Sequence, residues 1–430
     1  MKCKFRPTIG CAWIAALFLV SAGNASAAGF ALLEQNTSGL GNAYAGQAAT
    51  AQDASTIFFN PAGMTLLPDR QIVLSANGVK PTSNFSNTAS TPPAGRAGLT
   101  GNGGDAGDWA VVPSLYAAFA ITPDLRLGIG INSPFGLKTE YDAPWLGQYQ
   151  ALTSKLETIN VNPALAYRVN NWLSLGAGVN WQRAKAELSN SVYLGAAGDG
   201  TAQVEGDSDA WGYNLGALFQ ISQDMRVGIA YRSNIKQELE GDVTFTLPPG
   251  VPALPAVANG PVTAAVDLPE TASLSVFQRF DDKWDIMADI TWTHWSRFQD
   301  LTVLRSNGTV LSTQPENWSD TWRFSIGLNY RATEKLMWRF GTSYDQTPVS
   351  DAYRTPRIPD QDRVWAAIGV QYAFTPALLL DVGYAHLFVK DASVNQPNNI
   401  PALPATARGQ LTGNYENSVD IVGVQLTWSF

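Results

Sequence analysis

Residue types that usually carry chemistry are scarce in this chain. Its two histidines, His294 and His386, both sit in stretches that alternate apolar and polar residues, which gives each an ordinary structural role. A hydrolase would need one of them beside a nucleophilic serine. No His/Asp/Glu group shows metal-ligand spacing. Both cysteines, Cys3 and Cys11, precede residue 28. Gly39-Leu40-Gly41 comes nearest to a nucleotide-binding glycine motif, but Tyr44 stands where the fingerprint needs glycine, and there is no P-loop. Neither a cofactor nor a metal is expected. What remains is the chemistry of recognition, and Arg363 is its candidate. It closes the acid-rich run Ile358-Pro359-Asp360-Gln361-Asp362-Arg363, where it could read a ligand carboxylate or pair with Asp360 or Asp362.

The segments around these residues say where they work. Lys2, Lys4 and Arg6 form a basic start, Ile9 to Ala22 an apolar core, and Ala25-Ser26-Ala27 a small-x-small cleavage site. This reads as a secretory signal, 1–27, cut after Ala27. Its loss takes the formal net charge from −8 to −11, and an acidic chain argues against a nucleic-acid surface. Residues 28–69 are rich in Gly and Ala and keep no helix or strand period, as a plug for a narrow lumen would.

From residue 70 to 430 the pattern has a period of two. Trp322, Phe324, Ile326, Leu328 and Tyr330 interleave with Arg323, Ser325, Gly327 and Asn329. Similar runs cover 173–181, 284–292 and 422–430, which puts an apolar face opposite a polar or small one. Tight turns fall near Pro123-Asp124, Asn170-Asn171, Gln223-Asp224, Asp281-Asp282, Ala332-Thr333 and Thr375-Pro376. Long loops are expected between them at 81–108, 189–207, 246–263 and 392–414. Trp172, Phe280, Trp284, Tyr330 and Tyr372 cluster beside the short turns as an interfacial girdle. Six turns join twelve strands; one strand leads out of the plug near 70–80 and another ends the chain. The reading is all-β: a 14-stranded antiparallel transmembrane barrel in the outer membrane, plugged by an N-terminal hatch. The pattern at 235–272 is ambiguous. A monomer is expected, in contact with outer-membrane lipid, with the strand ending in Phe430 addressing the barrel-assembly machinery. The strand through Leu127, Ile129 and Ile131 runs into Asn132-Ser133-Pro134-Phe135-Gly136, where Pro134 offers no N–H and Gly136 is permissive. Composition favours a strand that simply ends there over a break in the wall.

Gly29-Phe30, Ser38-Gly39-Leu40-Gly41, Ala43-Tyr44-Ala45-Gly46, Asp53-Ala54 and Asn60-Pro61-Ala62 resemble the hatch of the FadL family of outer-membrane long-chain fatty acid transporters. Leu268-Pro269-Glu270, Trp295-Ser296-x-Phe298-Gln299 and the run ending at Arg363 extend the resemblance over the chain after the signal. It implies fourteen strands and a hatch with Asn60, Pro61 and Ala62 near its core. It also implies an inward kink of the third strand, so Pro134 and Gly136 become a lateral exit into the bilayer. Ligand would be collected between the loops expected at 189–207 and 246–263, with Leu247, Val251 and Leu254 as apolar contacts. It would then be held in the lumen beside Phe30. Basic residues of the fatty-acid member align near Leu188 and Thr302, neither of which is basic here; Arg183 and Lys185 stand nearby. The implied function is passive uptake of a hydrophobic small molecule, long-chain fatty acids first. Neutral aromatic or aliphatic hydrocarbons are the alternative, and a barrel lipase a distant one.

Overall fold

The computed structural model describes residues 29–252, 255–396 and 408–430. The expected signal, Leu254 and part of the loop expected at 392–414 lie outside them. Fourteen antiparallel spans form one closed sheet. They are β1 (Arg70–Asn87), β2 (Ala110–Ala120), β3 (Leu125–Asn132 and Gly136–Glu140), β4 (Thr153–Arg168), β5 (Leu173–Tyr193), β6 (Asp199–Gln220) and β7 (Met225–Arg232 and Ile235–Thr246). They continue as β8 (Gly260–Leu268 and Thr271–Arg279), β9 (Trp284–Thr293 and Asp300–Arg305), β10 (Val310–Pro315 and Thr321–Arg331) and β11 (Leu336–Asp345). The last three are β12 (Arg363–Thr375), β13 (Leu378–Val389 and Ala392–Gln396) and β14 (Leu411–Ser429). β14 closes on β1 from Gln71↔Ser429 to Asn87↔Gly413, so no edge faces lipid.

Alternation sorts the faces as read from the sequence. Trp322, Phe324 and Ile326 are exposed on the outside, while Arg323, Ser325 and Asn329 are buried inside. All six short turns lie where the sequence places them. Beside them Trp284 packs on Tyr330 and Trp172 on Phe219, forming the lower girdle. Trp109, Trp211, Tyr213 and Trp322 form an exposed belt at the opposite level.

Two expectations need correction. The region 189–207 is mostly not a loop, because β5 and β6 stay paired out to Tyr193↔Asp199. Small and polar residues dominate its first half and its tip, among them Ser189, Asn190, Gly195, Gly198 and Gly200, so it reads as a loop although pairing persists. β1 likewise runs on to Asn87 rather than stopping at residue 80. The ambiguity at 235–272 has a structural cause: β7 is interrupted at Ser233-Asn234 and β8 at Pro269-Glu270, and the two breaks face each other.

Residues 29–69 fill the lumen through short helices at Gln47–Thr50, Thr56–Phe59 and Pro61–Leu66. Chain this irregular must find partners for its backbone inside the barrel, and the barrel supplies them. Gln425 accepts from the Thr37 and Ser38 N–H groups and donates to Asp53. Arg323 donates to the Ala43 carbonyl and Arg226 to that of Thr50. Asn60 caps the Pro61–Leu66 turn through Ala62 N–H, while its amide donates to the carbonyls of Ala48 and Ala217. The barrel wall is thinned to glycine where the hatch backbone touches it. A Cβ at Gly341 would lie 2.0 Å from the carbonyl carbon of Asn42.

Gly341→Val therefore displaces the hatch without touching the sheet. The barrel should still assemble and stay heat-modifiable on gels. Overpacking of about 1–3 kcal/mol should make residues 29–69 cleavable by added protease, where the parent chain resists.

Candidate ligand pocket and lateral break

The hatch begins against an aromatic cluster. Gly29 has φ +64°, and a Cβ there would lie 2.7 Å from the Trp318 ring and 2.9 Å from that of Trp295, so both backbone and space require glycine. Its N–H donates to Asp360 (3.0 Å). Phe30 then packs edge-on against Trp295 (4.7 Å between ring centres) and Phe298 (5.6 Å), with Trp318 at 5.4 Å and Phe135 at 6.1 Å. Such offset pairs add about 0.5–1.5 kcal/mol each beyond burial.

This cluster separates two cavities. The outer one, with its mouth, takes in 830 Å³ and is walled by Phe30, Leu156, Leu188, Leu239, Val266 and Phe298. The inner one, 1040 Å³ with its mouth, lies on the other side of the chain, against Ala31, Leu33, Phe58, Phe59 and Pro134.

Of the sequence candidates, Phe30 and Leu188 line the outer cavity. Leu247 and Val251 stand half-buried in the loop beyond β7 and do not line it. Thr302 does not line it either, although its neighbours Leu301 and Val303 do. Arg363 is buried in a separate polar site, paired with Asp360 and 3.8 Å from Asp345. Arg183 is bound to Asp207 (2.6 Å) on the outer hairpin. The cation that sequence reasoning missed is Arg357, just before the Ile358-Pro359-Asp360 run. It faces the outer cavity from the 346–362 loop and donates to the Thr153 carbonyl, Ser154 Oγ and the Ser189 carbonyl. Among the described residues no carboxylate lies within ion-pair distance of it. Burial pulls it down to about 10, which leaves it charged at neutral pH. Glu316 lines the same cavity, accepts from Trp318 Nε1 (3.0 Å), and is pushed up to about 8 by burial. The Arg357 charge acts in the opposite direction, favouring the ionised carboxylate.

β3 departs from the wall at Ser133-Pro134-Phe135. Four residue steps from Asn132 to Gly136 face three on β4, from Asn160 to Glu157, so β3 carries one extra residue. Pairing with β2 stops at Leu115↔Ile131, and the outer half of β3 pairs with β4 alone. The freed backbone finds the hatch. Leu32 N–H donates to the Pro134 carbonyl and Gly136 N–H to that of Phe30 (both 2.9 Å), an antiparallel bridge centred on Ala31 and Phe135. Gln35 adds a bond to the Ser133 carbonyl (2.8 Å), and Thr158 Oγ1 lies within hydrogen-bond distance of the Phe135 N–H (3.0 Å) and carbonyl (2.6 Å).

A family model described as outer membrane protein transport protein (OMPP1/FadL/TodX) matches residues 18–430. Outer membrane protein P1 of Haemophilus influenzae is 31% identical over 97% of this chain and 98% of its own length. The long-chain fatty acid transport protein of Escherichia coli O6:H1 is 31% identical over 89% of this chain and 92% of its own. The crystal structure of a Pseudomonas aeruginosa FadL homologue superposes with a TM-score of 0.87 at 28% identity, covering 94% of this chain and all of that one.

Glu316 also makes stability depend on pH. It keeps its proton to about pH 8 in the folded barrel but would lose it near its ordinary 4.5 in the unfolded chain. The unfolded chain therefore binds fewer protons between those values, and stability falls as pH rises through that window, by up to a few kcal/mol. The temperature of heat modification should drop from pH 5 to pH 8, and the drop should flatten in Glu316→Gln.

Proposed function

The chain belongs to the outer-membrane transport protein family that includes FadL and TodX, and from that premise we propose that it is a passive channel for hydrophobic compounds, long-chain fatty acids foremost, which leave sideways into the bilayer through the break in β3. The family consists of outer-membrane transport channels rather than enzymes. Each histidine here is engaged by a carboxylate, His294 with Glu270 (2.7 Å) and His386 with Asp420 (2.8 Å); among the described residues neither contacts a hydroxyl.

The observation that carries the fatty-acid reading is a largely apolar cavity holding a guanidinium with no carboxylate at ion-pair distance among the described residues. Burying an acyl chain gains about 0.8 kcal/mol per CH₂, so the Phe30 cavity sets affinity for any long apolar molecule. A charged hydrogen bond adds about 1.5–3 kcal/mol. Arg357 would therefore choose the acid over the alkane, in place of basic groups at Leu188 and Thr302. A ligand held in this cavity needs a way out of it. The β3 break lies across the Phe30 cluster from it, and the hatch bridge at Ala31–Phe135 closes the way. Opening needs only local loss of that bridge and movement of Phe30.

Two variants test the two halves. Arg357→Ala should weaken oleate binding about tenfold or more and leave a matched alkane within about twofold; equal losses would assign Arg357 to structure and favour a neutral hydrocarbon ligand. Deleting Ser133 and replacing Pro134 with Val should give β3 and β4 an unbroken register. That barrel should assemble and bind oleate but fail to take it up. Uptake at the parent rate would remove the lateral exit.

A further inference from the structure

The inner cavity contains a cation that holding the hatch does not use up. Arg232 ends the first segment of β7 and faces this cavity. Its Nη1 donates to Asn180 (2.7 Å), its Nη2 to the Phe58 carbonyl (2.9 Å), and its plane lies 4.1 Å from the Phe58 ring centre. A guanidinium has five N–H donors, so three remain without a protein partner among the described residues. No carboxylate lies within 4 Å of it there. The acids that share the cavity are already engaged: Asp289 is held by Arg323 at 2.7 Å, and Asp345 stands 3.8 Å from Arg363. Other lumen arginines show the contrast, since Arg339 sits on Asp381 (2.9 Å) and Arg331 on Asp285 (2.6 Å). The cavity wall is mixed: Leu33, Phe58, Phe59 and Pro134 give it an apolar part, while Thr291, Thr293 and Asn214 are among its polar residues.

We propose that the inner cavity is a second ligand site, in which Arg232 receives the carboxylate of a long-chain amphipath whose tail lies against Phe58, Phe59 and the β3 break. The inference rests on the fatty-acid reading above and extends it. Arg357 and Arg232 then stand on either side of the Phe30 cluster, so a carboxylate crossing the cluster leaves one guanidinium and meets another. Without a second cation the head group would have to enter the inner cavity uncompensated, which is costly for a buried charge. The donors of Arg232 without a protein partner among the described residues are what such a transfer needs.

Binding to the purified full-length barrel in amphipol tests this, with oleate and oleyl alcohol as probes. The parent chain should bind two oleates. Arg232→Gln should lose one of them, or weaken it at least tenfold, while oleyl alcohol binding stays as in the parent. Arg232→Lys should restore the second oleate, and Arg357→Gln should weaken the other one instead. Arg232→Gln binding two oleates normally, or losing oleate and oleyl alcohol in equal measure, would overturn the site and leave Arg232 as a clamp on the hatch. A parent chain that does not prefer oleate to oleyl alcohol would overturn the fatty-acid reading itself, and this inference with it. Loss on Arg357→Gln alone would overturn only the inner site.

Discussion

A strand that leaves the wall of a membrane barrel frees backbone groups that lipid cannot satisfy. In this protein the hatch satisfies them. The two hydrogen bonds joining residues 30 and 32 to residues 136 and 134 allow β3 to turn inward at Pro134. Gly29 brings the chain close enough to Trp295 and Trp318, and Asp360 holds its N–H. Phe30 is thereby fixed between two cavities, and the same contacts hold the hatch end and satisfy the break. On the proposed lateral route, movement of the hatch end would remove the partners of the break as it opens the path.

Charge is distributed to match. Most lumen arginines are spent on acids or on hatch carbonyls, as with Arg323 on Asp289 and Ala43. That binding fixes the body of the hatch, from Thr37 to Leu66, against the barrel. Of the cations that face the two cavities beside Phe30, Arg323 and Lys155 are paired with acids, whereas Arg357 and Arg232 have no acid partner among the described residues. Desolvating a guanidinium without an acid partner is expensive, a cost that the proposed carboxylate ligand would offset.

Period-two alternation and the six short turns made the barrel legible, because lipid on one side and lumen on the other impose opposite chemistry on successive residues. The same signal was too weak at 189–207, where small and polar residues crowd a hairpin that is paired all the same. It also blurred around Ser233-Asn234 and Pro269-Glu270, where two strands break together. Pro134 was visible as an interruption, but the bridge beside it, Ala31 to Phe135, joins residues about a hundred positions apart and leaves no local pattern. Arg363 and Arg357 stand six residues apart in one loop and strand, and composition cannot say which is neutralised. Only the fold shows Arg363 on Asp360 and Arg357 facing the apolar cavity.

The most direct measurement is to lock the bridge. Ala31 and Phe135 form a pair flanked by its two hydrogen bonds, the kind that brings Cα atoms to about 4.5 Å, within disulfide reach. The natural cysteines lie in the expected signal, so a chain with Ala31→Cys and Phe135→Cys would carry the only thiols after cleavage. Oleate uptake by that barrel in liposomes should stop on oxidation and return on reduction, with outer-cavity binding retained throughout. Undiminished uptake with the disulfide formed would contradict the account.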